Sequence, residues 1–268
     1  MAETRREAEH GAEQGGGRVF FIGAGPGDPE LLTLKGKRIL QEADLVIYAG
    51  SLVNPELLAY AREGAEICDS ASLTLEEIFG RIAQAFQGGK VVVRLQTGDP
   101  SIYGALDEQL RLLEAHGIPY EVVPGVSSAM AAAATLRQEF TVPEVCQTVI
   151  LTRLEGRTPV PERERLSRLA QIQATLVIFL SLDRIDKVVE ELAAGYPPQT
   201  PVAVVYRASW PEEKVIRGTL AEIAGKVREA GLNRQGLILV GEALGLRQER
   251  EDHRSRLYHG DFPHGFRP

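Results

Sequence analysis

The apolar run Val19-Phe20-Phe21-Ile22 leads directly into Gly23-Ala24-Gly25-Pro26-Gly27-Asp28-Pro29, and this junction constrains the fold more than any other stretch of the chain. A buried strand feeding a glycine-rich turn is the opening of a nucleotide-type βα unit, where backbone at the strand's C-terminal end approaches a ligand. Two departures from the dinucleotide pattern G-x-G-x-x-G matter. Asp28 stands where a third glycine is wanted, and it puts negative charge where a phosphate needs donors. Pro26 removes a backbone amide from the turn. The loop therefore suits a nucleoside-bearing ligand without phosphate, and it argues against a dinucleotide-dependent oxidoreductase.

Beyond this turn the pattern alternates strand and helix. Thr33 can cap a helix to about Ala43, Leu45–Tyr48 is a strand, and Asn54-Pro55 has the chemistry of a short helix start. Thr74 with Glu77 forms a capping box ahead of Ile78–Phe86, which Gly88-Gly89 ends; Val91-Val92-Val93 then opens another strand. Ile102–Ala115 reads as a helix and Tyr120–Val123 as a strand closing on Pro124-Gly125. This β-α repeat predicts a parallel sheet with right-handed crossovers. After the Ala-rich segment Ala129–Ala134 a second series follows. Its strands fall at Thr148–Leu151, Leu176–Leu180, Val202–Tyr206, Lys214–Ile216 and Leu237–Val240, its helices at Glu162–Gln171, Asp183–Ala194 and Leu220–Ala230. The closeness of Val202–Tyr206 and Lys214–Ile216 predicts an antiparallel pair, hence a mixed second sheet. The expected architecture is two α/β domains, residues 18–125 and 126–246, with a ligand cleft between them. Tails at 1–17 and 247–268 lack periodicity and read as disordered.

Composition narrows the function classes. Hydrophobic content of 44% and charged content of 25% are those of a globular chain with a full core. A net charge of −7 argues against a nucleic-acid surface, and no apolar run nears the ~20 residues that span a bilayer. Arg5-Arg6 is followed by no apolar segment, so the cytoplasm is the default location. Cys68 and Cys146 have no metal-ligand spacing and read as small buried hydrophobes; the tail histidines His253, His259 and His264 match no standard ligand set, and no metal site is expected.

Four segments stand at predicted C-terminal strand ends: Ala24–Asp28, Thr97-Gly98-Asp99-Pro100, Pro124–Ser128, and Thr152-Arg153 with Gly156-Arg157. Gly98 and Gly125 permit close backbone approach, Asp99 can accept from ribose hydroxyls or an ammonium, and Ser127 and Ser128 offer small hydroxyls. Arg94, Arg137, Arg153, Arg157, Arg207 and Lys214 lie on or beside strand ends or loops, where guanidinium forks would suit a polycarboxylate; Arg153 and Arg157 are the strongest candidates.

The segment Val19–Leu40, with Gly-Ala-Gly-Pro-Gly-Asp-Pro and then Leu31-Leu32-Thr33-Leu34-Lys35-Gly36, resembles the first signature of the tetrapyrrole methylases. The stretch from Val92 through Leu95, Gly98-Asp99 and Tyr103-Gly104 to Val123-Pro124-Gly125 resembles their second. The likeness covers about residues 18 to 245. It implies S-adenosylmethionine as cofactor, which carries no phosphate, held by Pro26, Thr97, Gly98, Asp99, Ile102, Ser127, Ser128, Leu180 and Ala208, with Tyr103 adjacent. Leu180 stands where relatives often carry methionine, so only an apolar contact is implied there.

Within the family, Ala49–Val53, Gln147–Glu162 and Val205–Pro211 resemble the branch that methylates C11 of precorrin-4 in cobalamin synthesis. The siroheme-branch methylases of uroporphyrinogen carry an aspartate, proposed as a general base, where this chain has Ala49. The resemblance further implies a homodimer acting on a tetrapyrrole, with catalysis by positioning. No residue declares itself as the base. A sister methylase acting at another ring carbon or on uroporphyrinogen III is the alternative within the class. A non-catalytic tetrapyrrole carrier would need a basic cleft but no nucleoside site.

Overall fold

The computed structural model describes residues 17–245. The expected tails therefore lie outside the described residues, apart from Gly17, whose amide donates to Phe86 O at 2.9 Å. The chain forms two compact units. One runs to Ala131 and takes in Ser209–Pro211; the other is Ala132–Ala208 and resumes at Glu212. They divide inside the helix Ser128–Leu136.

The N-terminal unit holds β1 (Arg18–Gly23), β2 (Leu45–Tyr48), β3 (Glu66–Asp69), β4 (Val91–Gln96) and β5 (Tyr120–Val123), all parallel, in the order β3-β2-β4-β1-β5. Side chains alternate across the pleat. Phe20, Ile22, Val46, Val93 and Leu95 face Ile39, Leu40 and Ala43 on and just past α1 (Leu34–Glu42). Val19, Phe21, Leu45, Ile47 and Val92 face Ile78 and Ile82 of α2 (Leu75–Gln87) and Leu113 of α3 (Leu106–Ala115). Because both faces are covered, the central strands read as continuous apolar runs. Each fully buried Ile, Leu or Phe contributes roughly 1.5–3 kcal/mol by its removal from water. The predicted caps form: Thr33 accepts from Gly36, Asn54 from Glu56, and Thr74 and Glu77 make the reciprocal capping box.

The second unit holds β6 (Val149–Arg153), β7 (Thr175–Phe179), β8 (Pro201–Tyr206), β9 (Lys214–Thr219) and β10 (Gly236–Val240), in the order β6-β7-β10-β8-β9. Only β6 and β7 are parallel, so the sheet is mixed as expected. Within it, α4 (Ser128–Leu136) ends, and α5 (Leu166–Ala170), α6 (Ile185–Leu192) and α7 (Ile223–Glu229) cover one face through Leu166, Val188, Leu192, Ile223 and Val227.

Two expected helices are corrected, and one strand is added. The helix expected from Ile102 begins at Leu106, because the side-chain amides of Gln96 and Gln109 hold the Gly104 and Ala105 carbonyls, and Tyr103 and Ala105 are left-handed (φ 54° and 48°). The helix expected over Glu162–Gln171 is interrupted at Arg165, which is extended (ψ 141°) between a 3-10 turn and α5. The edge strand β3 is additional to the expected set, since a largely exposed strand has no apolar run to announce it.

Candidate functional site

The strand order sets β1 between β4 and β5, so the turns that follow these three strands converge. Gly25 and Gly98 bridge antiparallel, with Gly98 N–H to Gly25 O at 2.8 Å and Gly25 N–H to Gly98 O at 3.3 Å. Both glycines are left-handed, at φ 76° and 62°. A Cβ on Gly125 would lie 2.1 Å from Gly98 O, and one on Gly23 would lie 2.5 Å from the Gly125 Cα. Gly23 and Gly125 thus serve backbone packed on backbone. Gly98 differs: a Cβ there meets nothing closer than Ser127 Cα and Ser128 N at 3.8 Å, so its outward side is open.

Asp99 ties the turns together. One carboxylate oxygen accepts from the Ser101 amide and hydroxyl, and the other from Gly125 N–H at 2.9 Å. Burial opposes its ionisation, but the Ser101 hydroxyl and the amides of Gly125 and Ser101 outweigh burial and hold the carboxyl below its ordinary range. The group expected to face a ribose is therefore also the clamp of the turn. Ser127 accepts from Ala129 N–H through its hydroxyl and from Met130 and Ala131 through its carbonyl; Ser128 opens α4 beside it, half-buried. Ile102 is half-buried, and Tyr103 is 46% exposed. Two buried polar atoms at the end of β4, Gln96 Oε1 and Thr97 Oγ1, have no partner. A polar ligand over the open side of Gly98 is what such atoms and such a gap accommodate.

The β1 turn is filled on another side by the protein itself. Trp210, the single tryptophan of the chain, donates from Nε1 to Pro26 O at 2.8 Å and lies so close that a Cβ on Gly27 would be 2.2 Å from its ring. Ser209 Oγ accepts from Asp28 N–H, and Asn54 Nδ2 donates to Gly27 O. Asp28 itself caps the 3-10 turn Pro29–Leu31 by accepting from Glu30 N–H. The residue that breaks the dinucleotide pattern is thus a helix cap, with no outward anion-binding amide left in its place.

In the second unit Leu180 follows β7 in a left-handed conformation (φ 51°) and is 67% exposed. An exposed leucine in that conformation is unusual for a residue of purely structural role. Ala208 is buried between two left-handed residues, Arg207 and Ser209. Arg153 is not an open fork: it donates to the carbonyls of Leu154, Thr158 and Pro159 and so holds its own loop. Arg157 stands exposed on that loop. Arg184, which the sequence pattern did not single out, donates to Glu155 O beside it. Arg207 pairs with Glu212, Arg137 and Lys214 are exposed, and Arg94 is buried in the core of the N-terminal unit, away from any surface. Neither cysteine is fully buried as expected; Cys146 Sγ donates to Thr148 O and accepts from Thr175. The histidines His253, His259 and His264 lie outside the described residues.

The family described as Tetrapyrrole (Corrin/Porphyrin) Methylases matches residues 18–224. This chain belongs to that family. Among relatives, a cobalt-precorrin-4 C(11)-methyltransferase of Methanocaldococcus jannaschii is 55% identical, covering 93% of this chain and 96% of the relative. A precorrin-4 C(11)-methyltransferase of Pseudomonas aeruginosa is 47% identical, over 93% and 98%. The uroporphyrinogen-III C-methyltransferase of the same M. jannaschii is only 35% identical, over 85% and 97%. Among solved structures, a cobalamin biosynthetic enzyme, cobalt precorrin-4 methyltransferase, superposes with a TM-score of 0.83 at 49% identity, covering 85% of this chain and 95% of that one. A uroporphyrin-III C-methyltransferase from Thermus thermophilus complexed with S-adenosyl homocysteine gives 0.72 at 33%, over 86% and 100%.

As a tetrapyrrole methylase, the chain has the two α/β units read from its sequence. Ala49 follows β2 with its amide on Leu95 O and offers no proton-carrying group. Sequence reasoning missed Trp210 as a neighbour of Pro26, because 184 residues separate them; it also missed Gln96, whose burial no local pattern reveals.

Proposed function

We propose that this methylase transfers a methyl group from S-adenosylmethionine to ring carbon C11 of precorrin-4 or its cobalt complex, in cobalamin biosynthesis. What carries the reading is the contrast within one organism: likeness to the C11 enzyme of M. jannaschii is far higher than to its uroporphyrinogen enzyme. When bound, the cofactor supplies a methyl already made electrophilic by its sulfonium.

The protein's part is to hold and to align. Pro26, Thr97, Gly98, Asp99, Ile102, Tyr103, Ser127 and Ser128 are the cofactor residues of the N-terminal unit in this reading, and the family resemblance adds Leu180 and Ala208 of the second. The unpartnered Thr97 Oγ1 and the open side of Gly98 support it. Asp99 keeps the turns rigid, and exposed Leu180 supplies an apolar surface. Fixing a reactant in one geometry lowers the barrier without an acid or base. Arg157 faces a substrate carboxylate, while Arg153 orders the loop that carries it. The protein is a cytoplasmic homodimer in this reading; the family resemblance supports the dimer, which sedimentation velocity tests. No helix among the described residues is long and apolar enough to cross a membrane.

Calorimetry with S-adenosylmethionine, S-adenosylhomocysteine and NAD tests the cofactor: binding of the first two and not the third is expected, and NAD binding would overturn the reading. Replacing Arg157 with Ala should raise the KM for the tetrapyrrole about tenfold or more through loss of a charge-assisted pair of about 1.5–3 kcal/mol, with cofactor affinity unchanged. Equal loss for both ligands would remove Arg157 from the substrate site.

A further inference from the structure

Arg94 is 6% exposed on the α2–α3 face of β4. Its bonds run to neutral groups: Nε donates to Gln109 Oε1 at 3.0 Å and a terminal nitrogen to Ile47 O at 3.3 Å. Among the described residues no carboxylate forms an ion pair with it. Burial lowers its pKa to about 10, with the Cys68 thiol acting the other way. A buried guanidinium without a counter-ion is costly, so the bonds it makes need a reason.

The reason lies in the turn above it. Gln109 donates from Nε2 to Ala105 O at 2.8 Å, and Gln96, 3% exposed, donates from Nε2 to Gly104 O at 2.7 Å. Between them the backbone is forced. Tyr103 and Ala105 are left-handed, and Gly104 is pressed so close to Pro100 O that a Cβ would lie 2.4 Å from it. Each left-handed residue other than glycine costs about 1–2 kcal/mol, so the turn persists only if something outside it fixes it. A glutamine amide can present either its oxygen or its nitrogen to a neighbour. Arginine can only donate, so Arg94 claims Gln109 Oε1 and leaves the NH₂ group for the Ala105 carbonyl.

We propose that Arg94, Gln109 and Gln96 are positioning residues: Arg94 orients the Gln109 amide, and the two glutamines hold the carbonyls of Gly104 and Ala105 so that Ile102 and Tyr103 are presented to the cofactor. The cofactor half of this assignment rests on the function proposed above; the relay itself does not.

Gln109→Glu separates positioning from stability. It gives Arg94 a charged partner, yet replaces the donor facing Ala105 O with an acceptor. We expect no loss of Tm, and faster deuterium uptake confined to Ser101–Leu106 in the ligand-free protein. S-adenosylhomocysteine affinity should fall about tenfold, as expected if the binding-competent turn drops to about a tenth of the population. The KM for S-adenosylmethionine should rise in step, with kcat at saturation and the KM for the tetrapyrrole unchanged. Arg94→Lys, which can still donate to Gln109, should retain more affinity than Arg94→Met. Wild-type exchange and affinity in Gln109→Glu would overturn the relay. Equal rises in both KM values would overturn its restriction to the cofactor. Failure of the wild-type protein itself to bind S-adenosylhomocysteine would overturn the functional reading, while exchange at Ser101–Leu106 would still decide the relay.

Discussion

A Cβ on Gly125 would lie 2.1 Å from Gly98 O, whereas one on Gly98 finds its first neighbour only at 3.8 Å but must accept φ 62°. The two glycines therefore fail differently. Gly125→Ala must push backbone from backbone, and a loss of several kcal/mol, or no folded protein, is expected in urea unfolding. Gly98→Val should keep the fold at a cost of about 1–2 kcal/mol of backbone strain and abolish S-adenosylmethionine binding. Unchanged affinity in calorimetry would remove Gly98 from the site. Asp99 adds a pH signature. Its folded pKa lies below the ~3.9 of an unfolded chain, so the unfolded state binds more protons between the two values. Its stabilisation is complete above about pH 4 and is lost as the pH falls through the folded value. Asp99→Asn should cost about 1–3 kcal/mol at pH 7 and flatten the acid limb of the stability curve; a parallel curve would show that Asp99 does not carry it. Sequence indicated the residue types at these turns but not their duties. Gly25, Gly98 and Asp99 were legible as turn chemistry. That Gly23 and Gly125 exist to let three strand ends touch depends on β1 lying between β4 and β5, which no local pattern states.

The elements most legible in sequence were those with local signals. Thr33, Asn54 and Thr74 cap as read, and the apolar strands fall where expected. What escaped was decided by distant partners. The start of α3 is set by Gln96 and Gln109, and the β1 turn is completed by Ser209 and Trp210. The Ser209–Pro211 segment offers a direct test. Trp210→Phe keeps a ring over Gly27 but leaves Pro26 O without its donor. A destabilisation of about 0.5–1.5 kcal/mol is expected, with weakened cofactor affinity. As the only tryptophan, Trp210 also makes its own probe: its emission in the wild-type protein should respond to S-adenosylhomocysteine, and an emission indifferent to saturating ligand would place the cofactor away from Pro26.

For the whole molecule, an acidic chain of net charge −7 must handle a polycarboxylate through local groups, and the loop after β6, with Arg153, Arg157 and the neighbouring Arg184 that donates to Glu155 O, is where guanidinium groups gather in the second unit. Binding of a polycarboxylate does not tell corrin precursor from porphyrinogen. In the proposed reading Ala49 does, because its methyl side chain carries no group that could move a proton. The decisive measurement is therefore turnover followed by mass. Purified protein with S-adenosylmethionine should add a single methyl to precorrin-4 or cobalt-precorrin-4 and leave uroporphyrinogen III unmodified; methylation of uroporphyrinogen III at a comparable rate would contradict the C11 assignment.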